Sequence, residues 1–497
     1  MKTKQIFPAF VVLTALLSAT VGRADDIVAV KSGNWSNPTI WWDSTTSSNQ
    51  VPGTNDDAEI SNNVVVTVDT NTTVQWIYDT GSGTVTMAPG ITLIITDPTG
   101  GNGTAGLTTF NATAPSNTVI YACNPFWAKV CNYYNLVFIN TNYVDPLPPY
   151  EPFQNFNNFP NGANAPIPMT IAGDMTVMGY TFVQQGTDGP GVSADISIGG
   201  NLTIGTNCIW DTSGANLTVA SNVFLYGVLK DQNGALGSNY LNNVIVTGPG
   251  PSGYNPATRY GTNGWYLTDV ITWYVSGSLT NNGYICGTAY GSISFDGTGT
   301  IGGSNSFTIP AMTINGTYAI DTTVVLTTNT PVINGTVVFD LARTNQIVLN
   351  AGTNAIWYTT NGTLDVINSG AAPGSGQNYQ LFDNVANTNY DGVFGSINLP
   401  SLSPGLFWVD NLPANGSITV GGSAGYPTIT LSRNGTTLSV SWNTSSYPGY
   451  EVLTLTNSAG VITNLSSSWK ATGSNSSPAY FTINPNGPPM FFRLRNP

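Results

Sequence analysis

A short repeated unit is the feature of this sequence that most restricts its fold. The unit is a strand, a bend of small residues and a second strand, and it recurs in four stretches: TIAGDMTV (170–177), SIGGNLTI (197–204), TVASNVFL (218–225) and YVSGSLTN (274–281). The bends lie 27, 21 and 56 residues apart, and the last interval is about two units. A second series, built on Asn-Gly or its equivalent at residues 315, 334, 361 and 415, has intervals of 19, 27 and 54 residues.

A period of roughly 20–28 residues predicts a β-solenoid in which each coil contributes two or three short strands. One coil cannot bury its inward face alone, but stacked coils bury a continuous one. Charged residues make up 7% of the chain, against about 25% in an ordinary globular domain. Equivalent positions of a solenoid stack about 4.8 Å apart. Like charges would repel there, whereas Thr and Asn hydrogen-bond to their neighbours, so the fold explains the missing charge.

The Asn-Gly dipeptides permit a second interpretation, because Asn-Gly between strands is also a hairpin signal. On that interpretation the chain forms several antiparallel β-sandwiches. The observed intervals cluster near 24 residues, whereas sandwich strands recur every 8–12 residues or so. The spacing therefore favours the solenoid.

Three segments divide the chain. Residues 1–24 are predicted to be a cleavable signal peptide, with two lysines, a short apolar stretch and small residues before a cut at Asp25. Residues 25–420 are predicted to form the solenoid, with an N-terminal cap over 25–70. A Gly-rich seam precedes residues 421–497, whose alternating strands such as TTLSVSW (436–442) predict a small immunoglobulin-like β-sandwich.

Charge and composition exclude several functions. Without residues 1–24 the chain has nine basic and 25 acidic residues, a net charge of −16, which disfavours nucleic-acid binding and association with anionic membranes. No segment after the signal is long and apolar enough to insert into a membrane. The chain has no histidine, so catalytic triads and histidine-ligated metals are excluded.

Two stretches interrupt the repeat and are predicted to be loop insertions, at residues 121–168 and 228–270. Both are rich in Pro and aromatic residues, and long loops often carry binding sites. The rings that we predict to stack on a glycan are Trp127, Tyr133, Tyr134, Tyr150, Tyr254, Tyr260 and Trp265. The alternative is that these rings pack the loops against the solenoid wall.

The four cysteines fit no zinc or thioredoxin spacing. In an oxidising compartment, Cys123 and Cys131 are candidates for a disulfide that closes a short loop. Cys208 and Cys286 then remain as a second candidate pair.

The stretch SGNWSNPTIWWDSTTSSNQVPGTNDDAEI (32–60) places Trp35, Trp41 and Trp42 close to Asp56, Asp57 and Glu59. Rings beside paired carboxylates are typical of a sugar-binding cleft with an acid and a base. The alternative is a plug over the open end of the solenoid, which would otherwise expose a strand edge. We favour the plug, with Asp56 or Asp57 accepting hydrogen bonds from backbone amides of the PGTNDD turn.

Three stretches of the sequence resemble segments of known bacterial secreted proteins. GNWSNPTIWWD, VPGTNDDAEI and VVVTVD (33–69) resemble the G8-like start of bacterial secreted β-helix proteins. YQLFDNVANTNYDGVFGSINLPSLSPGLFWVDNLPANGSITV (379–420) resembles the terminal segment of autotransporter-type β-strand repeats, and LSVSWNTSSYPGYEVLTLTNSAG (438–460) is similar to terminal domains of large secreted proteins in the same bacteria. The resemblance implies a right-handed parallel β-helix, exported and displayed at the cell surface or in the surrounding matrix. It transfers no catalytic residue.

Parallel β-helices also host enzymes, so a rival function is a carbohydrate-active enzyme, a polysaccharide lyase or glycoside hydrolase on a pectin-lyase-like β-helix. Such a glycosidase needs two facing carboxylates, and Asp174 with Asp195, or Asp195 with Asp211, are the pairs that one coil could bring together. The alternative, structural interpretation is that each of these Asp residues lies at a bend and accepts hydrogen bonds from the backbone. No cofactor is predicted, apart from adventitious calcium, because no calcium-loop motif is present.

The sequence therefore predicts an all-β, non-catalytic, secreted structural or adhesive protein of the cell surface or extracellular matrix. Its expected partners are an extracellular polysaccharide, bound through the aromatic insertions, or other surface proteins.

Overall fold

The computed structural model describes residues 26–96, 106–122, 128–139, 154–155 (backbone only), 168–179, 181–185, 195–212, 214–231, 237–247, 264–267, 271–287, 291–327, 331–350, 362–384, 390, 394–422, 427–445, 447–456, 469–474, 476–484 and 486–495. The chain divides into two compact units, residues 1–316 and residues 317–497. Within the described residues the protein is nearly all β, as predicted. The signal peptide and its cleavage site lie outside the described residues.

The first part of the first unit contains short strands of two to five residues and one 3₁₀ turn at Pro38–Ile40. The strands are β1 Asp26–Ala29, β2 Gly33–Asn34, β3 Trp41–Asp43, β4 Asp57–Ile60, β5 Val65–Val68, β6 Thr72–Val74, β7 Trp76–Asp79, β8 Thr84–Met87, β9 Thr92–Ile95, β10 Thr109–Asn111, β11 Thr118–Tyr121, β12 Asn135–Ile139 and β13 Gln154–Asn155.

The remainder of this unit also consists of β-strands, most of them short. Its strands are β14 Met169–Ile171, β15 Met175–Met178, β16 Phe182–Gln184, β17 Ile196–Ile198, β18 Leu202–Ile204, β19 Ile209–Asp211, β20 Leu217–Leu225, β21 Val228–Lys230, β22 Asn239–Val246, β23 Gly264–Leu267, β24 Thr272–Val275, β25 Leu279–Asn281, β26 Ile285–Gly287, β27 Ser292–Phe295, β28 Thr298–Gly302, β29 Phe307–Ile309 and β30 Ala311–Ile314.

Successive strands visit three sheets in turn, and each strand pairs in parallel with its counterpart one coil later. Near the N-terminus, β1, β4 and β7 form one sheet, β2, β5, β8 and β10 a second, and β6, β9, β11 and β12 a third. Strand β3 is the exception, since it pairs antiparallel with β1 at the outer edge.

The parallel pairing continues through the rest of the unit. One series runs through β14, β17, β20, β22, β24, β27 and β30, a second through β12, β15, β18, β20, β22, β25 and β28, and a third through β13, β16, β19, β21, β23, β26 and β29. The long strands β20 and β22 each contribute to two series. This path is compatible with a parallel β-helix, and it excludes a chain of antiparallel sandwiches for the described part of this unit.

The core consists of rows of inward-facing side chains, each row formed by equivalent residues on successive strands. The rows arise because alternate side chains of a strand point to opposite faces. One row stacks Ile171, Ile198, Val219, Leu241 and Val275 on successive strands, and each is at most 2% exposed. Burying one such side chain contributes roughly 1.5–3 kcal/mol. The apolar positions of the repeat are therefore what hold one coil on the next.

The bends between the first two series need small residues. A Cβ on Gly200 would lie 2.4 Å from Asp174 Oδ1 and 2.6 Å from the carbonyl carbon of Gly173, one coil away. No side chain fits there without displacing the neighbouring backbone. The predicted unit of strand, small-residue bend and strand is confirmed at this position.

The second unit begins with further parallel strands. These are β31 Thr317–Ile320, β32 Val324–Leu326, β33 Val332–Ile333, β34 Thr336–Asp340, β35 Ile347–Leu349, β36 Thr363–Ile367, β37 Asn378–Gln380, β38 Phe382–Asn384 and β39 Ser396–Asn398. Strands β31, β34, β36 and β39 form one parallel series, and β32, β35 and β38 another. Strands β40 Leu406–Asn411 and β41 Ser417–Gly422, joined by the four-residue helix α1 Leu412–Asn415, form an antiparallel sheet with β37.

The C-terminal segment consists of two three-stranded antiparallel sheets. Its strands are β42 Thr430–Asn434, β43 Thr437–Ser441, β44 Glu451–Thr456, β45 Lys470–Ala471, β46 Ala479–Thr482 and β47 Met490–Arg495. The first sheet is β42, β43 and β46, and the second is β45, β44 and β47. Side chains from both sheets, including Val440, Trp442 and Val452, share one hydrophobic cluster.

Candidate functional site

Asp174, one of the candidate catalytic carboxylates, belongs to a ladder of hydrogen-bonded side chains along the bends. Asp174 accepts hydrogen bonds from the backbone N–H and the side-chain amide of Asn201 at 2.7 and 3.0 Å. Asn201 Oδ1 in turn accepts from Asn222 Nδ2 at 2.8 Å, and Asn222 Oδ1 accepts from Asn243 Nδ2 at 3.2 Å. Asp174 therefore acts as a bend residue that ties one coil to the next.

Asp195 and Asp211 also have structural partners. Asp195 accepts from the backbone N–H and the side chain of Asn216, both at 3.0 Å. Asp211 forms an ion pair with Lys230 at 3.2 Å, and the two side chains are 2% and 7% exposed. The structural interpretation of Asp174 and Asp195, as residues that accept hydrogen bonds between strands, is thus confirmed. The sequence did not reveal that Lys230 has a carboxylate partner one coil away.

The Trp-rich opening separates into a buried part and an exposed part. Trp35 and Trp41 are fully buried, with ring centroids 4.8 Å apart in an edge-to-face arrangement, and Trp41 Nε1 donates to the carbonyl of Trp35 at 2.9 Å. Asp56 accepts from the backbone N–H of Gly53 at 2.8 Å, which confirms the predicted turn. Trp42 instead points outward and is 42% exposed.

The ring residues predicted to bind a glycan fall into three groups. Trp127, Tyr150, Tyr254 and Tyr260 lie outside the described residues. Tyr133 and Trp265 are fully buried, so in this structure these two rings are core residues and present no face to a ligand. Tyr134 is half-buried at the bend directly before β12.

Burial also determines the hydrogen bonds and the protonation of Tyr133. Its hydroxyl lies 3.1 Å from that of Tyr121 and donates to the carbonyl of Lys129. Burial raises the pKa of Tyr133 well above its ordinary value, and burial raises the pKa of the neighbouring Cys131 thiol to about 11. Neither group is activated as a nucleophile at neutral pH.

The cysteine predictions have different outcomes. Cys131 is a free thiol in this structure, and Cys123 lies outside the described residues, so the disulfide between them stays a prediction. Cys208 directly precedes β19, whereas Cys286 lies in β26, three strands further along the same series. Three strand spacings are about 14 Å, beyond the reach of a disulfide, so the second pairing is wrong.

The described part of the range 228–270 forms strands β21, β22 and β23, in register with their neighbours. Within it, Tyr240 is 49% exposed and its ring stacks on that of Tyr274, with centroids 4.8 Å apart and planes 14° from parallel. Residues 232–236, 248–263 and 268–270 lie outside the described residues.

The two tyrosines belong to a longer row of outward residues that bear hydroxyl groups. We name it the hydroxyl row, and it consists of Thr170, Ser197, Thr218, Tyr240 and Tyr274 on consecutive strands of one parallel series. All five are exposed or half-exposed. The next outward residue, Ser294, is buried and donates to Asp296.

Sequence reasoning missed this row, although a signal was present. Four of its members lie three residues before a bend position of the repeat, as Thr170 does before Gly173 and Tyr274 before Gly277. Tyr240 departs from this spacing, because the register shifts by one residue between β20 and β22. Aligning the repeat on its bends therefore finds Thr170, Ser197, Thr218 and Tyr274, whereas Tyr240 is found only from the strand register.

No family model matches the chain, and comparisons with curated proteins and with solved structures find no match either. Among the described residues, no group of three or more acidic or Cys side chains is placed to hold a metal ion. A search of the same residues for a helix long and apolar enough to cross a membrane finds none.

Proposed function

We propose that this chain is an exported, non-catalytic structural or adhesive protein of the cell surface or extracellular matrix that binds an uncharged polysaccharide along the hydroxyl row. The observation that carries the proposal is the row itself. It places hydroxyl groups on five consecutive parallel strands and ends in two stacked, solvent-accessible tyrosine rings.

The row suits a linear, neutral ligand. Its members repeat at the strand spacing of about 4.8 Å, which is of the order of one sugar residue, so successive hydroxyls can meet successive sugars. Tyr240 adds an amphipathic ring whose apolar body packs on a pyranose face. The row contains no charge, which removes the attraction that an acidic or basic polymer would require.

The hydrogen bonds and ion pairs made by the candidate carboxylates support a non-catalytic function. Asp174 and Asp195 are hydrogen-bonded along the bends, and Asp211 is paired with Lys230 in a buried site. A glycosidase needs one protonated and one ionised carboxyl group facing the scissile bond. These three side chains are instead used to join coils, so they do not favour the rival function as a lyase or hydrolase.

The proposal also includes the detailed fold type of each part of the chain. We infer a right-handed parallel β-helix with a G8-like start and autotransporter-type repeats, and an immunoglobulin-like C-terminal sandwich. The parallel three-sheet path supports the helix, and the two facing antiparallel sheets support the sandwich. Export is supported only by the N-terminal sequence.

The test is a pull-down of the purified chain with cellulose, xylan, mixed-linkage β-glucan and a uronate polymer, paired with a reducing-end assay of every supernatant. We expect retention on at least one neutral polymer, no retention on the uronate and no released sugar. Product formation would overturn the non-catalytic function. Retention on the uronate alone would overturn the assignment of an uncharged ligand.

A further inference from the structure

The hydroxyl row continues towards the N-terminus beyond Thr170, its first member. Strands β2, β5, β8 and β10 carry outward residues that are register partners of one another: Asn34, Thr67, Thr86 and Asn111. All four are exposed or half-exposed. The N-terminal coils therefore present an outward row of the same kind, built from uncharged polar residues.

The two rows are joined between β10 and β14. Tyr133 forms parallel bridges to the residue after Asn111 and to the residue after Thr170. Asn132, which is exposed and directly precedes Tyr133, therefore lies between Asn111 and Thr170. The backbone N–H of Thr170 donates to Asn132 Oδ1 at 2.9 Å. We name the N-terminal part the row extension, and it consists of Asn34, Thr67, Thr86, Asn111 and Asn132.

The row extension doubles the length of the row. It contributes five positions and the hydroxyl row another five, all on consecutive coils. Ten positions are separated by nine strand spacings, about 43 Å in all. The row ends beyond Tyr274, because the next outward residue, Ser294, is buried and donates to Asp296.

The chemistry of the extension suits the same neutral ligand. Its hydroxyl and amide groups can both donate and accept hydrogen bonds, as sugar hydroxyls do. None of its members is charged, and the carboxylate of Asp69 near its first coil accepts from the N–H and the hydroxyl of Ser36 at 2.9 and 2.7 Å. The extension therefore continues the uncharged surface of the hydroxyl row.

The length of the combined row restricts the linkage of the ligand. A ligand that contacts every coil must advance by one sugar per strand spacing along the whole row. A β-1,4-linked chain is extended and stiff, whereas α-1,4-linked and β-1,3-linked chains wind into helices that would leave the row. A stiff chain also loses less conformational freedom on binding.

We propose that the row extension is the second half of the polysaccharide site, and that the ligand is a neutral, β-1,4-linked chain. About ten sugars lie along the stack of coils, one sugar to each strand spacing. This inference rests on the proposed function, because it lengthens the site named there and gives the linkage of its ligand. Tyr240 remains the anchoring ring, and the extension adds hydrogen bonds at the far end of the chain.

The test is fluorescence anisotropy of the full chain with reducing-end-labelled cello- and xylo-oligosaccharides of four and ten sugars. Malto-oligosaccharides of the same lengths are the α-1,4-linked counterparts. In whichever β-1,4-linked series binds, we expect ten sugars to bind about tenfold or more tightly than four. The malto-oligosaccharides should bind more weakly at both lengths.

A double variant separates the extension from the rest of the row. Thr67→Val with Thr86→Val keeps the β-branched shape of both residues and removes two hydroxyls. It should remove most of the gain for ten sugars and leave the affinity for four sugars unchanged. The matched control is Thr176→Val with Thr203→Val, two outward register partners on the neighbouring series, and it should change neither affinity.

Three outcomes would overturn the proposal. Equal affinities for four and ten sugars would mean that the ligand does not reach the extension. An unchanged affinity for ten sugars in the Thr67→Val, Thr86→Val variant, with an unaltered melting temperature, would mean the same. Equally tight binding of the malto-oligosaccharides, or failure of both β-1,4-linked series, would refute the linkage.

These failures differ from a failure of the proposed function. If only the extension is wrong, Tyr240→Ala still weakens binding of both lengths and a neutral polymer still retains the chain. The proposed function itself fails when no neutral polymer retains the chain or when sugar is released.

Discussion

The parallel coils of the first unit and the C-terminal sandwich use similar residue types but are held together differently. In the coils, equivalent side chains such as Asn201, Asn222 and Asn243 meet one another and bond across the stack. In the sandwich, strands run antiparallel and different residues face each other, as Glu451 faces Arg495. The range 421–497 has four basic residues and one acidic residue, whereas the rest of the chain is strongly acidic.

The difference explains where charge is tolerated. Where the repeat stacks the same residue type on itself, a charge would meet a like charge, so uncharged Asn, Thr and Ser are favoured. Asp211 can pair with Lys230 because the two coils carry different residues at that place. Antiparallel pairing allows opposite charges to lie opposite each other. The outward carboxylates Asp26 and Asp57 are therefore conspicuous in a parallel sheet, while Arg495 needs no special explanation in the sandwich.

The largest expected effect concerns the ion pairs of the two regions. Lys230→Ala leaves the buried Asp211 without its cation, and we expect the free energy of unfolding of the first unit to fall by about 3–5 kcal/mol. Arg495→Ala removes a partly exposed pair in the sandwich and should cost at most about 1 kcal/mol. Urea denaturation measures both.

A double variant sharpens this comparison. Asp211→Leu combined with Lys230→Met replaces the buried pair with apolar residues, and most of the lost stability should return. A loss below about 1 kcal/mol for Lys230→Ala would contradict the burial of the pair.

The ladder along the bends gives a smaller effect. Asn201→Ala removes the acceptor of Asn222 and a donor to Asp174, and we expect a loss of about 1–3 kcal/mol. Thr203→Ala, an outward change on the following strand, is the control and should cost less. If the two variants unfold at the same urea concentration, the ladder contributes nothing to the stacking of coils.

The smallest effect is a dependence on pH near the N-terminus. The hydroxyl of Thr46, assisted by the N–H groups of Thr46 and Thr45, holds the pKa of Asp43 below its ordinary value of 3.8, against the opposing effect of burial. Asp43 thus contributes stability that is present above about pH 4 and is lost as the pH falls through its lowered folded-state pKa.

Melting temperatures of the natural chain and of Asp43→Asn, measured from pH 6 downwards, test this. The difference between the two should be constant above pH 4 and should shrink below it. A difference that grows on acidification would mean that the carboxylate is not stabilised in its ionised form.

The repeat predicted much of the fold. The alternating apolar residues, the bend glycines and the low charge together indicated stacked parallel strands, and these are what the structure contains. Asn201 shows why this works, since a single residue type at a fixed place in the unit determines both the turn and the contact to the next coil. The interruption of this regularity by β3, which runs antiparallel, was not apparent because WWD has the same alternating pattern as a parallel strand.

The candidate sites were harder to predict. Tyr133 and Trp265 sit beside Gly, Asn and Pro in sequence, which is typical of loops, yet both belong to inward positions that only the register reveals. The pairing of Asp211 with Lys230 depends on which residues stack at a separation of 19 positions. Contacts between coils are set by the coil length at each step, and that length varies along this chain.

The most direct test of the proposed function compares one exposed tyrosine from each region, Tyr240 and Tyr480. The affinity of the chain for the neutral polysaccharide that retains it should fall about tenfold or more in Tyr240→Ala. It should be unchanged in Tyr480→Ala, although Tyr480 is more exposed, at 67% against 49%. Equal affinities for the natural chain and Tyr240→Ala would contradict the assignment of the hydroxyl row as the binding surface.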